Sequence, residues 1–235
     1  MIEVLAVDAE LTEGLPDTAR AAARRECLAP VVEVGRGSWE SDEFPSPDPG
    51  GFGLLVLSGL LTRRVGQGGR FGAELLGPGD LLRPWQKVGG AASIPFEPVW
   101  IAISDARIAV LGAAFARRAA PYPEVAAQLL GRALLRSRHL AINMAIVHQP
   151  RIETRLQMLF WHLADRWGKV RPHEVILEMP LTHALLADLV AARRPTVSTA
   201  LAALAKDGKV ERTPQGWRLL GDPPLELAEL SGEEL

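Results

Sequence analysis

The stretch that decides the fold is LTHALLADLVAARRPTVSTALAALAKDG, which runs from Leu181 to Gly208. Thr182 is a good N-terminal cap for a short helix, because its side-chain oxygen can accept a hydrogen bond from a backbone N–H of the first turn. Apolar residues then repeat at helical spacing and give this helix one buried face: Leu185, Leu186, Leu189 and Val190. The sequence therefore predicts a helix that begins just after Thr182.

A tight turn and a second short helix follow in the same stretch. Residues 191–194 form the turn, and Pro195 suits the first position of a helix, where its missing N–H removes no hydrogen bond. Gly208, after Asp207, is a typical C-terminal cap. The inward-facing residues of the second helix are Val197, Leu201 and Leu204. Two short helices joined by a tight turn predict a helix-turn-helix, and the strand–turn–strand pattern of residues 209–220 predicts a wing behind it.

The second helix exposes side chains that suit DNA. Arg193 and Arg194 lie at its N-terminal edge, where docked recognition helices contact phosphates and base edges. A bidentate arginine–guanine pair is the commonest specific contact, which makes Arg194 the first candidate for a base reader. The other candidate DNA-binding residues of this helix and the wing are Thr196, Ser198, Thr199 and Arg212. An ordinary helical hairpin with a solvated arginine pair is the alternative interpretation.

The stretch resembles the winged helix of the cyclic-AMP receptor protein/FNR (Crp/Fnr) regulators. The resemblance rests on LT at 181–182, LAxLV at 186–190, RxTVS at 194–198, the leucines of the second helix and Gly208. It implies that Thr182 and His183 contact DNA phosphates, that Arg194 reads a guanine and that Thr196 contacts the DNA backbone. It also implies a β-roll, a long dimer helix and a winged helix, in that order.

The chain departs from the family pattern at two positions of the second helix. Where the family often has Arg-Glu-Thr-Val-x-Arg, Pro195 replaces a carboxylate that accepts from cytosine, and Thr199 replaces a second guanine-reading arginine. The resemblance therefore implies a DNA half-site different from that of the family's best-known member.

A long helix is predicted before the winged helix. Residues 123–148 contain no internal proline, and their apolar residues lie on more than one face of a helix about 38 Å long. Such a helix packs against its own domain and against something else, and a second copy of the chain is the simplest partner. Pro150 ends the helix, because the residue before a proline disfavours the α conformation.

The N-terminal half has the texture of a β domain. Short runs rich in valine and leucine alternate with glycine turns over residues 31–112, and one of these turns, Gly77-Pro-Gly-Asp80, resembles the Gly-x-Gly-Asp turn of the Crp/Fnr β-roll. We therefore predict an α+β chain with a cyclic-nucleotide-binding-like β-roll, a dimerisation helix and a winged helix-turn-helix. The expected boundaries are 1–120, 121–149 and 150–222, with an acidic tail at 223–235.

The charge is unevenly distributed along the 235 residues, whose formal net charge is −2. Residues 151–222 hold 11 basic and 8 acidic side chains, whereas residues 1–123 hold 12 basic and 15 acidic ones. A mildly basic segment beside an acidic half fits a nucleic-acid-binding module carried by a sensor or scaffold.

No cofactor is expected in the N-terminal domain. After Asp80 the chain reads LLRPWQK, without the Gly-Glu-Leu of nucleotide-binding relatives, and residues 91–93 have no arginine ahead of them to hold a phosphate. The single cysteine, Cys27, excludes an iron–sulfur site, and His139 as the first histidine argues against haem or a cupin-type metal in the β domain. The aromatic residues that could either line an effector pocket or fill the core are Trp39, Phe52, Phe71, Trp85, Phe96 and Trp100.

These features together predict a homodimeric, sequence-specific transcription regulator and not an enzyme. Its expected partners are a near-palindromic operator in double-stranded DNA, a second copy of the chain, RNA polymerase and an unidentified small-molecule effector, with no membrane. An N-terminus without a basic region and the lack of an 18-residue apolar run predict a cytoplasmic protein. The alternatives are a protein-interaction module with a degenerate winged helix, or a cupin-like enzyme.

Overall fold

A computed structural model describes residues 1–40, 43–67, 70–85 and 98–227 of the chain. Contacts divide the chain into two compact units: residues 1–65 with 75–138, and residues 66–74 with 139–235. Within the described ranges, no helix is long and apolar enough to cross a membrane.

Short helices and one small strand pair open the chain. The elements are β1 (Ile2–Glu3), α1 (Val4–Val7), a 3₁₀ turn (Ala9–Thr12), α2 (Asp17–Glu26) and β2 (Leu28–Ala29). Strands β1 and β2 pair antiparallel. Helix α2 ends at Glu26, and the N–H of Cys27 donates to the carbonyl of Ala23 at 2.9 Å.

Two four-stranded sheets make up the predicted β-roll. Their strands are β3 (Val31–Val34), β4 (Gly37–Ser38), β5 (Gly53–Ser58), β6 (Leu61–Gln67), β7 (Arg70–Leu76), β8 (Leu81–Leu82), β9 (Val99–Ala102) and β10 (Ala106–Leu111). The strand orders are β3-β10-β5-β8 and β4-β9-β6-β7. Side chains alternate between the faces of a strand, so β5 sends Leu54 and Val56 into one buried cluster and Leu55 into another.

The Gly-x-Gly-Asp turn is closed by its own aspartate. The N–H of Gly77 donates to Asp80 Oδ2 at 2.8 Å, and Asp80 is buried. Gly79 has a φ of +89°, a backbone conformation that favours glycine. The predicted turn forms with this fixed conformation.

Two helices follow the sheets: α3 (Ala113–Ala119) and α4 (Pro123–His148). The second is the predicted long helix, with the bounds that the sequence indicates. Near its start, Val125 and Leu129 join the cluster that also holds α1 and Phe115. Further along, Leu130, Leu134 and Met144 have 62%, 64% and 62% of their surface exposed.

The C-terminal elements form a winged helix. They are α5 (Ile152–Trp167), β11 (Lys169–Arg171), β12 (Glu174–Leu177), α6 (His183–Leu189), α7 (Arg194–Lys206), β13 (Val210–Thr213) and β14 (Gly216–Leu220). The sheet order is β11-β12-β14-β13, with β13 and β14 as the wing. The predicted fold class, a β-roll followed by a long helix and a winged helix-turn-helix, is confirmed.

Candidate nucleic-acid interface

The first helix of the helix-turn-helix begins where its cap predicts. The N–H of Leu185 donates to Thr182 Oγ1 at 3.2 Å, and Thr182 is exposed. Capping uses a lone pair of the hydroxyl oxygen, so the hydroxyl proton remains available. Thr182 can therefore cap α6 and donate to an external acceptor at the same time.

The turn between α6 and α7 is held by a residue that sequence reasoning missed. Arg155 donates through Nη1 to the carbonyl of Val190 at 3.1 Å and through Nε to the carbonyl of Gln149 at 2.6 Å. Both carbonyls follow helices whose last acceptors have no intrahelical donor. Ala191 adopts a φ of +51°, an unusual value for a residue with a Cβ atom. No local pattern identifies Arg155, because its acceptors lie 6 and 35 residues away.

The second helix starts one residue earlier than predicted. Arg193 is its N-terminal cap residue and Arg194 its first helical residue, so Pro195 occupies the second position. The first four N–H groups of a helix lack partners, so a proline is tolerated there as well. Gly208, with φ +64°, ends the helix, and the N–H of Lys209 donates to the carbonyl of Leu204 at 2.9 Å.

The inward and outward faces of α7 separate cleanly. The residues that pack into the domain are Val197, Ala200, Leu201 and Leu204. The side chains of Arg193, Arg194, Thr196 and Thr199 are exposed. Within the described part of the chain, neither arginine forms an ion pair. The N-terminal edge of α7 therefore presents two unneutralised cations.

Two of the candidate hydroxyls are already engaged within the helix. Ser198 Oγ donates to the carbonyl of Arg194 at 3.1 Å, and Thr199 Oγ1 donates to the carbonyl of Pro195 at 3.2 Å. A hydroxyl has one proton, so in this conformation both oxygens offer lone pairs outward. They suit a donor such as a base amino group better than a phosphate oxygen, which only accepts.

His183 connects the two helices and the wing. Its Nδ1 lies 2.9 Å from Ser198 Oγ, and its ring is tilted against Trp217 with 6.2 Å between ring centroids. Burial lowers the pKa of His183, and the neighbouring charges of Arg212 and Arg194 lower it further. The imidazole is therefore neutral around pH 7.

The wing is fastened through Trp217, which sequence reasoning also missed. Trp217 is buried, and its Nε1–H donates to the carbonyl of Leu181 at 3.1 Å. Its ring packs on Phe160 with 5.0 Å between centroids. The exposed Arg212 lies across the strand pair, with its guanidinium 5.2 Å from the Trp217 ring centre. The structure thus brings Arg212, His183 and Arg194 to the same side of the domain.

Comparison with known proteins assigns this domain. Residues 154–224 match the family model described as the Crp-like helix-turn-helix domain. The chain carries a Crp-like helix-turn-helix domain. No curated protein matches the chain in sequence.

Solved structures extend the likeness to the whole fold. FixK2 from Bradyrhizobium japonicum is 18% identical and has a TM-score of 0.59; the match covers 88% of this chain and 98% of that one. A CRP/FNR-family transcriptional regulator from Thermus thermophilus is 21% identical with a TM-score of 0.56, covering 87% and 99%. A cyclic nucleotide-binding domain containing protein from Listeria monocytogenes EGD-e is 13% identical with a TM-score of 0.66, covering 92% and 97%. These structures confirm the fold that the resemblance to Crp/Fnr regulators implies.

Ahead of the Crp-like domain, the aromatic residues of the β-roll fill two separate cores. Trp39, Phe44 and Trp100 stack edge to face, with ring centroids 4.6–6.2 Å apart. Phe52 packs on Phe115 in the other core. Trp85 lies against the first cluster. Phe96 and residues 91–93 lie outside the described residues, as does the side chain of Phe71, so these expectations remain predictions.

Two further features of the chain bear on cofactors. Cys27 is fully buried, and burial raises the pKa of its thiol to about 11, as expected for a small hydrophobic core residue. Across the residues that the structure describes, no group of three or more His, Cys, Asp and Glu side chains is placed to hold a metal ion.

Proposed function

We propose that the chain is a homodimeric, sequence-specific DNA-binding transcription regulator of the Crp/Fnr type, without enzymatic activity. The observation that carries the proposal is the pair of unneutralised arginines, Arg193 and Arg194, at the N-terminal edge of α7 in a Crp-like helix-turn-helix domain. This is the edge that enters the major groove in docked recognition helices. We also propose a cytoplasmic location.

The proposed roles follow from the chemistry of each side chain. Arg194 reads a guanine through its bidentate guanidinium, while Arg193 and Arg212 contact phosphates as cations. Thr182 donates its free hydroxyl proton to a phosphate, and Thr196 contacts the backbone. Ser198 and Thr199 accept from base donors, since their protons are engaged within α7.

The exposed face of α4 supports a dimer. Six of its exposed residues recur at alternating spacings of four and three, the repeat of a coiled-coil seam. They are Leu130, Leu134, Ser137, Ala141, Met144 and His148. Three of the six, Leu130, Leu134 and Met144, are large and apolar. Exposed apolar side chains on one face of a helix are typical of an interface, and a second α4 presents the same seam. Two-fold symmetry then places the two α7 helices in half-sites about 34–36 Å apart.

The proposed regulator works without a cyclic nucleotide, haem or an iron–sulfur cluster. The single buried cysteine and the close packing of Trp39, Phe44 and Trp100 support this view. RNA polymerase remains an expected partner at regulated promoters. A small-molecule effector also remains an expectation from the sequence.

Selection of bound sequences from randomised duplex DNA, with the purified ligand-free protein at moderate salt, tests the proposal. We expect enrichment of one near-palindromic sequence. Retention of all sequences without enrichment would contradict sequence specificity, and failure to retain any DNA would favour the protein-interaction module. A matched selection with Arg193→Ala/Arg194→Ala should yield no enriched sequence, which ties the readout to α7.

A further inference from the structure

The hydrogen bonds around His183 allow the proton of its neutral ring to be assigned to one nitrogen. Ser198 Oγ lies 3.1 Å from the carbonyl oxygen of Arg194 and 2.9 Å from His183 Nδ1. A serine hydroxyl has one proton, and a carbonyl only accepts. Both contacts are hydrogen bonds at once only if that proton goes to the Arg194 carbonyl and His183 Nδ1 donates to Ser198 Oγ. From this network we assign the proton of the neutral ring to Nδ1.

The other ring nitrogen, Nε2, consequently has a lone pair and no proton. Nε2 has no partner within the described residues and is not among their buried unpaired atoms, so solvent reaches it. In this tautomer Nε2 can accept a hydrogen bond but cannot give one. A phosphate oxygen of DNA also only accepts. The neutral ring and a phosphate therefore cannot form a hydrogen bond.

Two cations face the ring from the elements packed against it. Arg194 comes from α7 and Arg212 from β13, whereas Trp217 of β14 adds an aromatic face without charge. In the free protein these cations and burial keep the ring neutral. A phosphate docked beside the ring would reverse this balance, since a nearby negative charge favours the charged imidazole.

We propose that His183 is a proton-linked phosphate contact. When DNA docks, Nε2 takes up a proton from solvent and donates it to a phosphate oxygen, while Nδ1 keeps its bond to Ser198. The inference rests on the proposed DNA-binding function and adds a pH dependence to it. The same ring positions Ser198 on the recognition helix, so the phosphate contact and the placement of α7 are joined through one side chain.

The direction of the pH effect follows from linkage. DNA affinity rises as the pH falls through the pKa of His183 in the complex, and the rise ends below the lowered pKa of the free protein. Between the two pKa values each subunit takes up one proton, which corresponds to at most about tenfold in affinity per pH unit per subunit.

The test uses the full chain and a duplex carrying the selected operator, with affinity measured from about pH 8 down to about pH 6 at constant salt. His183→Asn keeps a donor near Nδ1 for Ser198 and removes Nε2. His183→Gln places an uncharged amide donor near the position of Nε2. His173→Asn is the matched control, because His173 is an exposed histidine of the same domain with φ +67°, a conformation that asparagine tolerates. Circular dichroism establishes that each variant is folded.

We expect the wild-type and His173→Asn proteins to bind several-fold to about tenfold more tightly at the lower pH, and His183→Asn and His183→Gln to lose most of that change. The NMR titration of the His183 ring should give a higher pKa with DNA than without it. Equal pH dependence in the wild type and His183→Asn, with the operator still bound, would overturn this inference and leave the proposed function intact. Failure of the wild type to bind any duplex at any pH would overturn both.

Discussion

Two exposed faces of this chain differ in their chemistry: one is on α4 and the other on α7. The face of α4 that contains Leu130, Leu134 and Met144 exposes large apolar side chains. The N-terminal edge of α7 exposes Arg193 and Arg194, which form no ion pair within the described residues. Covering an apolar face with another apolar face lowers the free energy of the system, and this stabilisation depends little on salt. Unpaired cations are stabilised by binding a polyanion, and salt weakens that binding steeply. The two faces therefore suit the two proposed partners, a second copy and DNA, respectively.

Charging the apolar face should give the largest effect. In Leu134→Glu/Met144→Glu, four carboxylates would have to be buried in the dimer, so we expect a monomer in sedimentation velocity. Operator affinity should fall by about 10⁴-fold, because the second half-site no longer binds intramolecularly. Leu135→Glu is the matched control: Leu135 is exposed on α4 but lies outside the four–three repeat. A dimeric double variant would show that this face is not the interface.

The second-largest effect should be that salt weakens DNA binding but leaves dimerisation nearly unchanged. Raising monovalent salt from about 50 mM to about 200 mM should weaken operator binding by about 10³-fold, because Lys and Arg contacts release counterions from phosphates. The dimer dissociation constant, measured by sedimentation across the same range, should change by less than about twofold, since apolar burial releases no counterions. DNA affinity that hardly responds to salt would refute phosphate contacts as its source.

Within the cationic edge, the two arginines should differ. Arg194→Ala should cost about 1–3 kcal/mol at one base position and relax the preference there, whereas Arg193→Ala should weaken all duplexes alike and reduce the salt slope by about one per subunit. Binding to the operator and to single-position variants of it measures both. An equal loss on every sequence for Arg194→Ala would reduce Arg194 to a phosphate contact.

The smallest effect is expected from an arginine of the same domain that already forms ion pairs. Arg218 on β14 is 3.0 Å from carboxylate oxygens of Glu174 and Glu211. Its charge is already neutralised, so Arg218→Ala should change operator affinity by less than about twofold. Its unfolding free energy should drop by no more than about 1 kcal/mol, as for other half-exposed ion pairs. Urea unfolding measures the free energy of unfolding, and titration with the operator measures the affinity. A loss of affinity as large as that of Arg194→Ala would mean that pairing does not decide which arginines bind DNA.

The sequence predicts the framework of the recognition motif well, because local rules govern it. Thr182 caps α6, α4 has the bounds that its apolar spacing indicates, and Gly208 ends α7. Each of these depends on residues a few positions apart. The roles assigned to the eight candidate DNA-binding residues stay predictions.

The contacts that tie these elements together could not be predicted in the same way. Trp217 donates to the carbonyl of Leu181, 36 residues away, and Arg155 reaches Gln149 and Val190 at once. The hydroxyls of Ser198 and Thr199 depend on side-chain rotamers, which residue types do not fix. The sequence predicts these hydroxyls as DNA contacts, whereas the folded helix has already used their protons.

The buried thiol of Cys27 makes this chain convenient for optical and magnetic measurements. With a pKa of about 11 and no exposed surface, the thiol is almost entirely protonated at neutral pH and out of reach of maleimide and methanethiosulfonate reagents. A cysteine introduced at an exposed position such as Leu135 would therefore be labelled alone, without first replacing the native one. Dyes or spin labels attached there would report the separation between the two copies directly, with and without DNA.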